Sequence, residues 1–563
     1  MSLPADPGQS AQPGRVAQRR LPARALRWPR PSAGLGRRLL CSVGMTVVAM
    51  MVAAPLAVAW GVGHARVETY LGPNVVQLAS TYDPEVKIDL GPLGNAYLPS
   101  PVAPLGLDLI VGGVSAGSGV GSFLSQQNLA AYTSVFADPD EAVTGIADEL
   151  VADVFVESLK AEAVLLLGFG LWVVRRRLLA PALVPHVTVR RAVVIYAAVV
   201  VVVLGSIVAP PSRERAARLP VAVAAGTSFD GLTVDSPVLS DLLDRGIKGV
   251  ALLTDRQQRA VDRYVTAASD NLRAQIGRLP EPAEDETMYL GFSDLHCNQA
   301  MTELIEQAAV LTKPAQVLSS GDDTVNGTAA ERGCLTREAR IAQGVPFLVS
   351  TGNHDSDVTE AQMKGAGMVV LDGNVVDSAG LFVLGDDDPE RQVPFSVERV
   401  AERPETEPQL GQRLIKTARA DHTDVILVHQ PTASVEIMTT PNPPARLVLW
   451  GHYHSESGPA VVPHEDGSWT VGMQQGTAGG VKQPTFSSFS TPFSPPLIRA
   501  DIYFYFRDDA TGLITGVQPV HFLPDATVVV AARVATGDLD ALPASTREQL
   551  DPTSPSPAPE SPR

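Results

Sequence analysis

The chain has 563 residues, a net charge of −17, 45% hydrophobic but only 5% aromatic residues, and 46 prolines. Such a length accommodates about two to four domains, and the acidic balance excludes electrostatic capture of long nucleic acid, which needs Lys and Arg against phosphate. The charge is uneven: residues 1–38 hold eight arginines against Asp6, or +7, leaving −24 for the remainder. A basic head before an apolar run points to a membrane.

In chain order, residues 1–38 are Pro-, Ala- and Arg-rich without apolar periodicity and are expected to form a disordered cytoplasmic N-terminus. Leu39–Val62 runs for about two dozen residues without a charge, long enough to span, so 39–62 is read as transmembrane helix 1, with the arginines on its cytoplasmic flank. Residues 63–138 contain short β-like runs broken by Gly and Pro (Val75–Leu78, Val86–Leu90, Leu107–Val111) and are expected to form a small β-rich extracytoplasmic domain. Helical pattern returns in 139–178, leading into transmembrane helix 2. Its apolar stretch, Ala163–Val174, gives only about 18 Å of helix against a core of about 30 Å, with snorkelling Arg175–Arg177 extending it. A cytoplasmic loop (179–191) and transmembrane helix 3 (192–210) follow. Three spans make a multi-pass cell-membrane protein whose remaining chain lies outside; losing the second would put that remainder in the cytoplasm.

Residues 211–285 are expected as a β/helical connector, with 219–236 β-like and Leu242, Leu243, Ile247, Val261, Tyr264 and Val265 at helical spacing. From Met288 strands alternate with helices, Leu371–Val376 and Leu381–Gly385 reading as strands, and 545–563 is Pro/Ser/Glu-rich and expected to be disordered. Of three cysteines, Cys41 sits in an apolar run, while Cys297 and Cys334 are either a disulfide or two buried thiols.

The chemistry lies where apolar runs stop. Tyr289–Phe292 leads into Asp294 and His296, Val317–Gly321 into Asp322, and Phe347–Gly352 into Asn353, His354 and Asp355. Val425–Val428 leads into His429, and Leu447–Trp450 into His452 and His454. Five strands thus deliver Asp, Asn or His at their C-terminal ends, the edge where open α/β sheets bind ligands. Mixed carboxylate, imidazole and amide donors suit divalent Mn, Fe or Zn. Seven such ligands exceed the needs of one ion with open positions, which points to two. A two-metal site stabilises the attacking and leaving oxygens of a phosphoryl displacement. His64, His186, His422, His464 and His521 lack this context and are read as ordinary histidines.

Asp294-Leu-His296, Gly321-Asp322, Gly352-Asn-His-Asp355, His429 and Gly451-His-Tyr-His454, in this order, resemble the calcineurin-like metallophosphoesterase family, over residues 286–535 taken as a domain. The resemblance implies an α/β fold, a four-layer αββα sandwich. It also implies a dinuclear metal-dependent hydrolase acting on a phosphate mono- or diester through a metal-bridging hydroxide. Asp294, His296 and His454 would bind the first metal, Asp322 would bridge, Asn353, His429 and His452 would bind the second, and His354 would be the catalytic residue beside the leaving group. One departure is visible: Gly321-Asp-Asp-Thr-Val325 puts Val where a second acid often stands, with Asp323 or Asn326 as substitutes. Two rivals remain: a non-catalytic metal-dependent sensor, for which a non-ligand His354 has no use, and a nuclease or nucleotidase, against whose long polyanionic substrates the acidic body speaks.

Overall fold

The computed structural model describes residues 33–71, 74–100, 103–111, 139–179, 194, 198, 218–224, 230–394, 398–482 and 494–537. The expected third span (192–210), the cytoplasmic loop and the C-terminal tail thus lie outside the described residues, apart from isolated positions.

Helix α1 (Ala33–His64) starts ahead of the apolar run and leads into strands β1 (Arg66–Leu71), β2 (Asn74–Thr81), β3 (Glu85–Asp89), β4 (Asn95–Pro99) and β5 (Gly106–Val111). Helix α2 (Pro139–Leu179) packs along α1: Gly61 sits against Ser158, and Asp153 accepts the Arg66 N–H. Large apolar side chains of the pair face outward, including Met51 (62% exposed), Leu167 (66%) and Leu171 (63%). Among the described residues one segment, Val47–His64, is long and apolar enough to cross a membrane. Three spans are therefore not established: charges at Glu157, Lys160 and Glu162 precede the short apolar stretch of α2.

Strands β6 (Leu219–Pro220) and β7 (Thr233–Val234) return to the first sheet, whose order is β1-β2-β5-β3-β4-β7-β6. The pairing of Ala96 with Val234 joins chain segments more than a hundred residues apart, and Leu219 pairs with the other side of Val234. Helix α3 (Pro237–Ala274), capped by Ser236, packs its start on this sheet through Leu239, Leu243 and Ile247. Its later turns present Val261, Tyr264, Val265, Ala268 and Leu272 to the second unit, the i, i+3, i+4, i+7 stripe of an amphipathic helix.

The second unit holds two facing sheets. Its elements in chain order are β8 (Glu286–Phe292), α4 (Gln299–Thr312), β9 (Gln316–Ser319), α5 (Arg332–Glu338), β10 (Phe347–Val349), α6 (Asp357–Gly365), β11 (Val369–Val370), β12 (Val376–Ser378) and β13 (Leu381–Gly385). A separate hairpin, β14 (Glu390–Gln392) and β15 (Arg399–Ala401), precedes α7 (Glu407–Ala420), β16 (Val425–Leu427), α8 (Pro431–Met438), β17 (Leu447–Trp450), β18 (Ser457–Pro463) and β19 (Trp469–Gln474). Strands β20 (Ala500–Asp508), β21 (Ile514–Phe522), β22 (Val528–Val530) and β23 (Val534–Ala535) close the fold. One sheet runs β11-β10-β9-β8-β20-β21-β22, with β23 beside β21; the other runs β12-β13-β16-β17-β19-β18. Strands β8–β11 are mutually parallel, as are β13, β16, β17 and β19.

Continuous apolar runs form these strands because both faces are buried. In β8, Leu290 and Phe292 pack against helices α3 and α4 while Tyr289 faces the other sheet. In β16, Ile426 packs under α7 and α8 while Val425 and Leu427 point between the sheets. The result is a mixed α/β unit with helices, sheet, sheet and helices in succession. Of Leu371–Val376, expected as a strand, only Val376 enters one, β12; residues 371–375 bend, with Gly373 at φ +83° and Asp372 Oδ1 accepting from the Asn374 amide.

Candidate metal centre

Five strand ends converge. β8, β9 and β10 of one sheet deliver Asp294 and His296, Asp322, and Asn353 and His354; β16 and β17 of the other deliver His429, and His452 and His454. All eight are buried or nearly so, none beyond the 9% exposure of His452 except the half-buried His454. Two groups of ligating atoms form, each within 4.8 Å: Asp294, His296, Asp322 and His454, and Asp322, His429 and His452. Asp322 belongs to both, its Oδ2 lying 3.8 Å from His296 Nε2 and 3.1 Å from His429 Nε2. Asp294 Oδ1 lies 3.2 Å from His454 Nε2, and its Oδ2 accepts the backbone N–H of His452 at 3.0 Å.

The turns that make this possible are strained. Of eleven non-glycine residues with positive φ among the described ones, six are Asp294, His296, Cys297, Asp322, His452 and His454. Each such residue costs on the order of 1–3 kcal/mol and persists only where its surroundings over-determine it, typically at functional sites. Gly352 is required by close approach, since a Cβ there would collide with Asp322 Oδ1.

Hydrogen bonds decide which imidazole nitrogen faces the centre. Nδ1 of His296 donates to the Thr324 carbonyl (3.0 Å), of His429 to Ser320 (2.8 Å) and of His454 to Val481 (2.6 Å). Each therefore offers Nε2 as a ligand, a tautomer and ring orientation set by the backbone. His452 is reversed: its Nδ1 lies 3.3 Å from His429 Nε2, and its Nε2 points outward to Arg399 at 3.1 Å. His354 belongs to neither group. Its Nδ1 donates to the Val325 carbonyl (2.6 Å), its backbone N–H to Asp322 Oδ1 (2.8 Å), and its ring meets that of His296 edge-on at 4.9 Å.

Protons balance the buried carboxylates. Burial opposes ionisation of Asp322, yet His429 and His354 hold it well below the usual range; burial likewise opposes ionisation of Asp294, which His454 holds low. Conversely, burial opposes protonation of His429, but Asp322, with Asp294 and Asp388, pushes it up to about 10, and Asp294 raises His454. Burial and neighbouring imidazoles press His296 and His452 down to about 3. Two carboxylates thus face two histidines whose protonated forms they favour, positive charge that divalent cations would replace. Asp294 Oδ1 and both amide atoms of Asn353 are buried without a hydrogen-bond partner. Such orphans are rare in folded proteins and fit an ion ligand set of two Asp, four His and one Asn.

Sequence reasoning missed the residues that hold the Asp322 turn. Asp355 accepts from the backbone N–H groups of Asp322 (2.9 Å), Thr324 (3.0 Å) and Gly352 (2.9 Å) and from Thr324 Oγ1 (2.8 Å). It fills the orienting place that Val325 leaves open, and its position directly after His354 was the available signal. Asp323 instead turns inward to Ser319 Oγ (2.8 Å) and the buried Glu338; burial pushes Asp323 up to about 8 and raises Glu338. Cys297 and Cys334 form a disulfide, Cα–Cα 5.2 Å, whose loop contains Asp322. Of the other histidines, His64 bonds to Trp60, His422 is exposed beside Asp424, and His464 and His521 pair with Thr470 and Asp501, all outside the two groups; His186 lies outside the described residues.

Residues 289–456 match the family model of the calcineurin-like phosphoesterases. No curated protein matches the chain. Solved structures resemble it only distantly. The Haemophilus influenzae NAD nucleotidase is 12% identical with a TM-score of 0.27, covering 44% of this chain and 50% of its own; the chain thus spans half of that protein. The phosphoesterase Yfce from E. coli is 13% identical, TM-score 0.21, covering 44% and 100%. A metallophosphoesterase from Sphaerobacter thermophilus is 14% identical, TM-score 0.19, covering 46% and 96%. None of these likenesses bears weight for function. The family match coincides with the sandwich strands and the converging ligand set, and it makes residues 289–456 of this chain a calcineurin-like phosphoesterase domain.

Proposed function

We propose that the protein is a membrane-anchored, dinuclear-metal-dependent phosphoesterase whose catalytic domain lies outside the cytoplasm. The observation that carries the reading is the pair of buried ligand groups sharing Asp322. Asp294, His296, Asp322 and His454 would hold one ion, and Asp322, Asn353, His429 and His452 the other. Two divalent cations, Mn, Fe or Zn, would polarise a phosphate mono- or diester and lower the pKa of a bound water. His354, tethered through Nδ1, is left with Nε2 to donate a proton to the departing oxygen. Asp355 keeps the Asp322 turn fixed throughout.

Strand pairing supports the topology. Residues 66–111 and 219–234 share one sheet, which favours an even number of membrane crossings, zero included, between Val111 and Leu219. One crossing by α1, with the arginines cytoplasmic, puts that sheet outside, and α3 carries the phosphoesterase unit along with it. If α2 is a second span, a third must follow within 180–218, where the apolar run 192–210 lies. The alternative that leaves the catalytic domain in the cytoplasm needs an odd number of crossings there, and the shared sheet speaks against it. A disulfide also fits an oxidising compartment. A reporter enzyme fused after Arg563 and active only outside the membrane is expected to be active; cytoplasmic activity would overturn the topology.

The activity is tested with the full chain in detergent, on aryl phosphate mono- and diesters with Mn, Zn, Fe or chelator. Metal-dependent turnover is expected, and His354→Ala is expected to retain two ions while losing roughly 10²–10⁴-fold in kcat. Two bound ions without turnover on any ester would favour the sensor reading.

A further inference from the structure

The hairpin β14–β15 belongs to neither sheet of the sandwich, and it straddles one half of the centre. The last of its three cross-strand pairs is Gln392 and Arg399. The Gln392 N–H donates to the Asn353 carbonyl at 2.8 Å, and Arg399 Nη2 reaches His452 Nε2 at 3.1 Å. The pair therefore spans from one predicted ligand of the second ion to another. Further ties hold the hairpin in place: the Glu390 N–H bonds to Asp388 Oδ1, and Arg391 to the Gly327 carbonyl.

Arg399 differs from the cations around it. Arg391 is bound by Glu402 at 3.1 Å, and Arg403 is clamped by Asp386 and Asp387. The nearest carboxylate to Arg399 is that of Glu390, at 3.9 Å, and its side chain is 40% exposed. It is a loosely held guanidinium at the edge of the second ligand group, 3.1 Å from His452 Nε2.

We propose that Arg399, carried on the Glu390–Ala401 hairpin, is a substrate-binding residue that takes the non-bridging phosphoryl oxygens and favours a dianionic monoester over a monoanionic diester. The inference rests on the phosphoesterase reading for its substrate class. A guanidinium matches paired phosphoryl oxygens with two parallel N–H bonds, and one more positive charge favours the ester carrying one more negative charge.

The test uses the full-length protein in detergent, loaded with Mn, as wild type, Arg399→Ala and Arg399→Lys. Inorganic phosphate binding is measured by calorimetry, metal content by elemental analysis, and KM on aryl mono- and diesters. In Arg399→Ala, phosphate affinity and monoester KM are expected to weaken by on the order of 10- to 100-fold. Diester KM should move only a few-fold and two ions should remain; Lys should recover part of the loss. Unchanged phosphate affinity overturns the proposal, equal losses on both esters overturn the selectivity, and loss of the ions would reduce Arg399 to a support for His452. Wild type that hydrolyses neither ester but binds phosphate in an Arg399-dependent way would sink the enzymatic reading while sustaining the anion site.

Discussion

The phosphoesterase sandwich and the helix–sheet unit before it use apolar residues in opposite ways. In the sandwich, Leu290, Phe292, Leu348, Leu427 and Leu449 are fully buried, and the strands that lead to the centre place their Asp, Asn and His just past their C-terminal ends. In the α1–α2 pair, Met51, Phe155, Val164 and Leu171 face outward, and every residue of β3 in the adjoining sheet is only half-buried. Exposed apolar surface of that extent needs a covering, and lipid supplies one for helices whose backbone bonds are internal. One unit is therefore built to position charges with little freedom, the other to hold a surface. Besides α3, they meet at a polar joint: Arg332, beside the disulfide, pairs with Glu141 (3.5 Å) and Asp148 of α2, and Gly145 abuts Ala329. The neighbouring Glu331 accepts the Val325 N–H at 2.8 Å, and the Val325 carbonyl holds His354.

Three perturbations probe that contrast. The largest effect belongs to the rigid unit: Asp322→Asn removes charge from the carboxylate common to both ligand groups. It is expected to lose bound metal and at least ~10³-fold in kcat/KM, beyond the 10–100-fold typical of an outer-shell partner; elemental analysis beside kinetics checks it, and intact metal content would refute the ligand assignment. Next is pH. His429 is pushed up to about 10 in the metal-free protein, and Asp294 raises His454. Below pH about 10 His429 carries a proton that an ion must expel, so metal binding should release protons and weaken roughly tenfold per proton for each unit of falling pH. Above about 10 the His429 contribution should vanish. Calorimetry in buffers of different ionisation enthalpy reads the release directly, and binding without proton release would contradict the charge balance described here. The smallest effect lies at the joint. Arg332 is one-third exposed, so Arg332→Ala should cost no more than about 1 kcal/mol in the denaturation midpoint. A large kcat loss without a stability change would show that the anchor influences the Val325 turn.

Much of the catalytic unit was legible because a strand buried on both faces must be apolar throughout, so an Asp or His directly after such a run stands out. That rule identified Asp294, Asp322, Asn353, His429 and His452 at strand ends. The N-terminal helix pair was less legible, since an apolar helix reads alike whether lipid or protein covers it, and α2 mixes charges into its length. Leu371–Val376 misled because its valines read as strand formers, while the Asp-Gly-Asn within it makes a turn.

By itself the sequence determined the order of polar strand ends, the basic head and the apolar run behind it, because these depend on local residue type and spacing. Tertiary structure decided which imidazole nitrogen faces the centre, because backbone carbonyls from distant strands choose it. It also decided that Asp355 rather than a second acid at Val325 fixes the Asp322 turn, that Cys297 meets Cys334, and that Arg399 reaches His452. The return of the chain after residue 218 to the first sheet likewise follows only from the pairing of β4, β6 and β7. Each of these depends on contacts between residues far apart in the chain, and no local pattern encodes them.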